Sequence, residues 1–272
     1  FVSVAASTKA LYALDASGNV HLVNPGSGAI GVRGLQLRPG AQAPLPLPGR
    51  RAGAHQGPIG TGLPGQGSIE VDAAENLFTV DVETHRILRV SPAGKIDVVL
   101  PRAGHDCCTL PTAIALDPLG NLYISNIFPP QVWYFNRGAT SITVHGQSVA
   151  PRTAQVVAGS GTVGFGGDGG PALQAQFQRP AGMATDRQGN LYVADPGEQS
   201  IRKIDRAGTI TTAVGTGMAG FNGDFRKGPV TTLDAPLDLD ADPCGNLLIA
   251  DRGNGRVRRL NIIGDCSAVG AR

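Results

Sequence analysis

Gly182-Met-Ala-Thr-Asp-Arg-Gln-Gly-Asn-Leu-Tyr-Val-Ala-Asp195 is the stretch that decides the fold. A short apolar run ends on Asp186, a tight turn uses Gly189 and Asn190, which tolerate positive φ, and a second apolar run ends on Asp195. That is the chemistry of a β-hairpin. Pro196-Gly-Glu-Gln199 makes the next turn, and Ser200-Ile-Arg-Lys-Ile-Asp205 alternates apolar and polar side chains as a third strand. Arg206-Ala-Gly208 then leads into Thr209-Ile-Thr-Thr-Ala-Val214 as a fourth. The segment reads as four antiparallel strands in sequence. Helical periodicity appears nowhere over a useful length; Ala172-Leu-Gln-Ala-Gln-Phe177 is at most a turn or two inside a loop.

The phrase around Asp186 recurs along the chain: Asp15-Ala-Ser-Gly-Asn19, Asp72-Ala-Ala-Glu-Asn76, Asp117-Pro-Leu-Gly-Asn121, Asp186-Arg-Gln-Gly-Asn190 and Asp242-Pro-Cys-Gly-Asn246. Five residues past each Asn stands Asn24, Asp81, Asn126, Asp195 or Asp251. Eleven past it stands Ile30, Ile87, Val132, Ile201 or Val257. A four-stranded unit of this size buries too little alone and is stable when packed face to face with like units, which is the physics of a β-propeller. The expected fold is all-β, a β-propeller of four-stranded antiparallel blades with five recognisable repeats. It is either a five-bladed ring or a truncated six-bladed one. The Asn-to-Asn spacings of 57, 45, 69 and 56 residues read as one bare repeat and three with inserted loops.

Gly189-Asn-Leu-Tyr-Val-Ala-Asp195 with Ile201-Arg-Lys-Ile-Asp205, and Gly245-Asn-Leu-Leu-Ile-Ala-Asp251 with Asn254-Gly-Arg-Val-Arg-Arg-Leu260, resemble the repeat of the NHL family of β-propellers, in particular its bacterial form. The resemblance covers essentially the whole chain and is strongest in copies two, four and five. Copy three departs where Ile127-Phe-Pro-Pro130 replaces a polar turn, and copy one departs in its third strand. The resemblance implies a binding platform as the commoner role, with lyases and lactone or ester hydrolases as the minority.

Composition narrows the classes. The 272 residues read as a single domain, 1–272, with a Pro/Gly-rich insertion at 38–67 that reads as a long loop. A formal net charge of +2 with 16% charged residues announces neither a nucleic-acid groove nor a basic membrane face. No apolar run is long enough to span a bilayer, so no membrane insertion is expected. The chain begins at Phe1 without a leader-like segment, and its four cysteines are compatible with an oxidising compartment. The expected location is therefore secreted, periplasmic or on the cell surface, as in a bacterial cell envelope. Cys244 and Cys266 fall at one end of the last repeat, where a disulfide is plausible, while Cys107 and Cys108 form a vicinal pair or stay free. For ring closure, either Phe1–Ala5 is the last strand of a blade cut from a longer parent and Cys266–Ala271 is the fourth strand of the last repeat, or Phe1–Ala5 fastens the ring and the C-terminal tail is peripheral.

In this topology the turns between strands two and three and the connections between blades share one end, and the Asp-x-x-Gly-Asn turns lie at the other. The insertions are expected at the first end. Two inter-blade loops there are copies of one phrase, Gly164-Phe-Gly-Gly-Asp168 and Gly220-Phe-Asn-Gly-Asp224. Phe165, Asp168, Phe221 and Asp224, with Arg252 and Asn254 in the last two-to-three turn, are the candidate partner-binding residues, because function concentrates on loops held by a rigid scaffold. The competing reading is packing: each Phe caps the groove between blades and each Asp serves the loop's own backbone. Asp81, Asp195 and Asp251 read as turn caps on backbone N–H groups or on Arg202 or Arg258.

No catalytic residue and no metal ligand is assigned. Neither loop has the ligand spacing of a calcium-binding helix–loop–helix, so calcium would have to be gathered from several blades. His21, His55, His85, His105 and His145 lack zinc-like spacing, although a propeller can gather zinc ligands near its axis. No cofactor is expected. No Gly-x-Ser-x-Gly elbow, His-Glu-x-x-His or phosphate loop is present. The first expectation for function is a non-enzymatic platform that binds a protein or glycan through the insertion-bearing face. The alternative is a metal-assisted hydrolase or lyase, lactonase- or esterase-like, at the axial mouth. A structural segment of a larger surface protein is the third reading.

Overall fold

The computed structural model describes residues 68–81, 85–100, 109–224, 226–241 and 245–262, and before residue 45 the backbone of six strands. The chain is an all-β propeller fold of four-stranded antiparallel blades. It divides into two compact units, Phe1–His105 with Thr109–Leu116, and Asp106–Cys108 with Asp117–Arg272.

The first unit contains β1 (Ser3–Ala6), β2 (Leu11–Leu14), β3 (Val20–Val23), β4 (Ile30–Val32), β5 (Leu35–Leu37), β6 (Gln42–Pro44), β7 (Ile69–Val71), β8 (Leu77–Asp81), β9 (Arg86–Val90), β10 (Ile96–Leu100) and β11 (Pro111–Leu116). Blade one is ordered β1–β2–β3–β6, and β4–β5 is a separate hairpin. Three expectations change here. Ser3–Ala6 pairs with Leu11–Leu14 in the first blade and is neither a fastening strand nor the last strand of another blade. That pairing puts the first Asp-x-x-Gly-Asn copy between the second and third strands in the order of the chain, so Ile30 leaves the register and pairs with Leu37. Gln42–Pro44, inside the segment read as a loop, pairs with β3.

Blade two, β7 to β10, keeps the expected order. Its core is made by the register positions: Leu77, Phe78, Val80, Ile87 and Val90 are buried. Each such side chain contributes on the order of 1.5–3 kcal/mol by leaving water.

The second unit contains β12 (Leu122–Ile127), β13 (Pro130–Phe135), β14 (Ile142–Val144), β15 (Gln147–Val149), β16 (Ala154–Ala158), β17 (Met183–Thr185), β18 (Leu191–Asp195), β19 (Ser200–Ile204), β20 (Ile210–Val214), β21 (Pro236–Ala241), β22 (Leu247–Asp251) and β23 (Arg256–Leu260). Blade four is β17 to β20, strand for strand as its sequence reads, and Ala172–Gln174 is one 3-10 turn. Among the described residues blade five has three strands, β21 to β23. Its expected fourth strand at Cys266–Ala271 and all four cysteines lie outside the described residues, as do His55, His105 and most of 38–67. Blades four and five pack through Tyr192, Ile201, Val214, Leu233, Leu239, Leu247 and Ile249.

The repeated phrase earns its place through Asp186. Its Oδ1 accepts the N–H groups of Gln188 and Asn190, both at 2.9 Å, and its Oδ2 accepts the Asn190 amide at 2.7 Å. Asp117 repeats the pattern with Leu119 and Asn121, both at 2.8 Å. Gly189 closes the turn at φ 78, where a side chain would be strained.

One insertion is not where the repeat places it. The β14–β15 hairpin joins β13 to β16, which with β12 are neighbouring strands of blade three, at the end that carries the Asp-x-x-Gly-Asn turn. The extra residues in the longest spacing are therefore divided between both ends, because either kind of turn can carry a hairpin without disturbing the ladder between its flanking strands.

Candidate binding face

Two inter-blade loops define the candidate site. In the first, Gly164 N–H bonds the Phe177 carbonyl and Gln176 N–H bonds the Gly166 carbonyl, both at 3.2 Å, so the loop folds back on itself. It also docks on blade four, where Gly169 N–H bonds the Ile210 carbonyl at 2.8 Å. The second loop repeats the closure with Gly220 N–H on the Leu233 carbonyl at 3.0 Å.

Each loop is gripped by an arginine from the third strand of the blade that follows it. Arg202 is 1% exposed. It donates to the Gln176 carbonyl at 3.2 Å, to the Gly166 carbonyl at 3.3 Å and to Asp168 Oδ1 at 2.6 Å. Its guanidinium lies 4.8 Å from the Phe165 ring centre. Arg258 holds the second loop in a similar way, donating to the Thr232 carbonyl at 2.8 Å and to the Gly223 carbonyl, one position further along the phrase, at 3.0 Å, with Asp224 at 3.6 Å. Phe221 is stacked by Arg256 at 4.1 Å and Arg258 at 5.2 Å. A β-bulge opposite Ile201–Arg202 locally re-aims the strand there.

The second-strand carboxylates hold the ends of the same loops. Asp195 is fully buried and accepts Gln178 N–H at 2.7 Å and Arg179 N–H at 2.9 Å. Burial pushes its pKa up, and the backbone N–H groups offset this only in part. Asp251 accepts Asp234 N–H at 2.7 Å and the Asn254 amide at 2.9 Å. These aspartates are caps, as read, but they cap the incoming loop some sixteen residues upstream as well as the local turn. Glu198 is also pushed up, by burial and then by Asp195, and accepts the Gln178 amide at 2.9 Å. For Asp168, burial opposes the charge, yet hydrogen bonding from Thr212 and the Arg202 guanidinium hold its carboxyl below the ordinary range. Thr212 N–H meets Asp168 Oδ2 at 2.9 Å.

The six candidate residues fall in one unit. Phe165 and Phe221 are 47% and 40% exposed, each with one face on an arginine. Asp168 and Asp224 turn toward Arg202 and Arg258. Asn254 bonds the Gly220 carbonyl at 2.9 Å as well as Asp251, tying the two-to-three turn to the second loop, and Arg252 is exposed beside it. Phe128, Val163 and Met218 are exposed on turns and loops at the same ends of their strands. Beside β23 opens a cleft of about 780 Å³ lined by Asp224, Arg226, Lys227, Arg256 and Arg258 among others.

Sequence reasoning understated the arginines. A signal was available: twelve residues past the repeat Asn, copies two and three carry Leu88 and Trp133, and only the copies preceded by the Gly-Phe-x-Gly-Asp phrase carry Arg202 and Arg258. Among the described residues no group of three His, Cys, Asp or Glu side chains is gathered for a metal, and no helix is long and apolar enough to cross a membrane.

Comparison with known proteins agrees with this architecture. The family described as the teneurin NHL domain matches residues 71–222. Teneurin-3 of Mus musculus is 32% identical over 182 residues, covering 59% of this chain and 6% of teneurin-3. The chloroplastic protein Suppressor of Quenching 1 of Arabidopsis thaliana is 30% identical over 99 residues, covering 36% of this chain and 9% of that protein. The chain thus spans a small fraction of the length of these relatives. Among solved structures, a Bacteroides thetaiotaomicron protein of unknown function shares the fold with a TM-score of 0.65 at 20% identity, over 94% of this chain and 57% of that one.

Proposed function

This chain belongs to the teneurin NHL-domain family of β-propellers, and on that premise we propose that it is a non-enzymatic binding platform. Its partner is a protein or glycan, taken on the end that bears the Phe165 and Phe221 loops, in a secreted or cell-surface setting. One observation carries the reading. Phe165 and Phe221 stand half-exposed on loops already locked by Arg202 and Arg258, in company with exposed Phe128, Val163 and Met218. An apolar group held rigid before contact loses little entropy on binding, and apolar side chains gathered at one end of a scaffold are the usual mark of an interaction site. The alternative, a metal-assisted hydrolase or lyase, has less support: the two carboxyls pushed upward, Asp195 and Glu198, are engaged with backbone N–H groups and with Gln178.

The test is a screen of the folded protein against a glycan array and a panel of extracellular proteins, repeated with the double variant F165A/F221A and with L119A. Leu119 is exposed at the opposite end of blade three and serves as the control. Binding lost only in the double variant supports the platform. Binding lost only in L119A, or turnover of a lactone or ester by the wild type, overturns it.

A further inference from the structure

The β14–β15 hairpin of blade three turns on His145 and Gly146, both in the left-handed region at φ 46 and 74, the backbone of a tight two-residue hairpin. Its base is tied to its own blade, where the Asn136 amide donates to the Thr140 carbonyl at 2.8 Å and the Val149 carbonyl at 3.0 Å. Its tip lies on blade four. Gly208 is at φ 88, and a Cβ there would strike the His145 carbonyl; a Cβ on Gly146 would come to 3.0 Å from the Ala207 carbonyl. Two chains that approach this closely at glycines are docked on each other.

The His145 ring is buried, and both of its nitrogens are engaged. Nδ1 lies 2.6 Å from the Asp205 carbonyl oxygen, and Nε2 lies 2.9 Å from the Tyr123 hydroxyl. A carbonyl only accepts, so Nδ1 carries the hydrogen, and in the neutral ring Nε2 accepts from Tyr123. This assignment uses every polar atom of the neutral ring. A second proton would set an N–H against the Tyr123 O–H, so the hydroxyl hydrogen would have to rotate out of the contact and the oxygen accept from a charged, buried ring.

The other groups around the ring are accounted for. Tyr123 meets Tyr134 edge-on at 4.9 Å, and Tyr134 donates to Asp117 at 2.6 Å. The Asp205 carboxylate accepts Thr209 N–H at 2.9 Å. Arg206 lies along Gly189, and Arg137 donates to the Gly120 carbonyl. Asp205 favours a charged ring, and burial outweighs it.

We propose that His145 makes the β14–β15 hairpin an acid-released latch: the neutral imidazole fastens the hairpin to the Asp205–Gly208 turn of blade four, and proton uptake frees the tip. Burial holds the His145 pKa below its ordinary value of 6.5, against smaller upward effects of Asp205. The attached ring therefore binds its proton less readily than the detached one. Attachment is complete above the detached pKa and weakens as pH falls from there toward the attached pKa, by up to about tenfold per pH unit.

Hydrogen exchange of residues 142–149, corrected for intrinsic rates, tests this when followed from about pH 7.5 to about pH 5, the window set by that linkage. Amides of β12 serve as the internal reference, and H145Q supplies a side chain that does not titrate. The expected result is a loss of hairpin protection in acid in the wild type, none in β12, and a flat profile in H145Q. Unchanged wild-type protection overturns the latch, as does the same acid dependence in H145Q. Where H145Q fails to hold the hairpin at either pH, the wild-type hairpin set against β12 decides alone.

Discussion

The loop ahead of blade four and the loop ahead of blade five are written in the same residues and closed to different degrees. Both present a Gly-Phe-x-Gly-Asp phrase to an arginine of the next blade's third strand. In blade four the pair meets at 2.6 Å, and Thr212 of the fourth strand secures the other carboxylate oxygen. In blade five Arg258 is shared between Asp224 at 3.6 Å and Asp251 at 3.5 Å. The third strands differ in step: Ile201 is 0% exposed and Val257, at the same register position, 74%. Among the described residues β23 pairs only with β22. The repeat therefore specifies which groups meet, and the shorter ion pair is the one whose third strand is buried.

Removing each arginine gives the largest separation. Arg202→Ala leaves two backbone carbonyls and a partly buried carboxylate without their donor, and is expected to cost about 3 kcal/mol. Arg258→Ala removes a less buried guanidinium whose ion pairs are longer, at 3.5 and 3.6 Å, and is expected to cost about 1–2 kcal/mol. Urea unfolding of the two variants measures the gap. Equal losses would mean that burial of the third strand does not set the strength of the grip.

Much of this was legible in the sequence because a repeat compares the chain with itself. The turns at Asp117 and Asp186, the strands of blade four and the burial of Ile87, Val132 and Ile201 all follow from register alone. What failed has a common cause. Strand partnership in blade one is decided by long-range pairing: Ser3–Ala6 takes Leu11–Leu14, and the first copy shifts by one strand. The location of the β14–β15 hairpin was hidden because an insertion lengthens the spacing equally at either end of a blade. At the site, the phrase placed Phe165 and Asp168 on a loop, but their partners come from far along the chain. Arg202 lies 34 residues from Asp168 and Thr212 lies 44. Only the appearance of arginine in the two copies with this loop carried that link.

The carboxyls that hold the first loop are shifted in opposite directions, which sharpens the comparison further. Asp168 is held below the ordinary carboxyl range. Its stabilising contribution is present above the unfolded pKa and is lost as pH falls through the folded one. Asp195 is pushed above that range, so the folded state takes its proton first and the loop is stabilised as pH falls through that higher value. Asp168→Asn should flatten the loss of stability in acid, while Asp195→Asn should remove the acid gain. Stability measured against pH from about 6 to about 3 reads both slopes. A steeper acid loss in Asp168→Asn than in the wild type would reverse the assignment.

The smallest effect on stability divides the two readings of the loop phenylalanines. Each ring lies on an arginine, a contact worth about 0.5–1 kcal/mol where solvent reaches it. Phe165 covers the buried Arg202, whereas Phe221 lies on the exposed Arg256 and the less buried Arg258. Phe165→Ala should therefore cost near the upper end of that range and Phe221→Ala near the lower, with both proteins folded and their melting temperatures close to the wild type. A loss for Phe165→Ala as large as that for Arg202→Ala would make the ring a packing element that seals the groove, and the binding role of this end would fall with it. A small loss means that each arginine holds its loop without the ring, so that about half of each aromatic surface is presented to solvent by a frame that does not need it. Exposed apolar area that stability does not require is the property a binding face has and a packing repeat lacks.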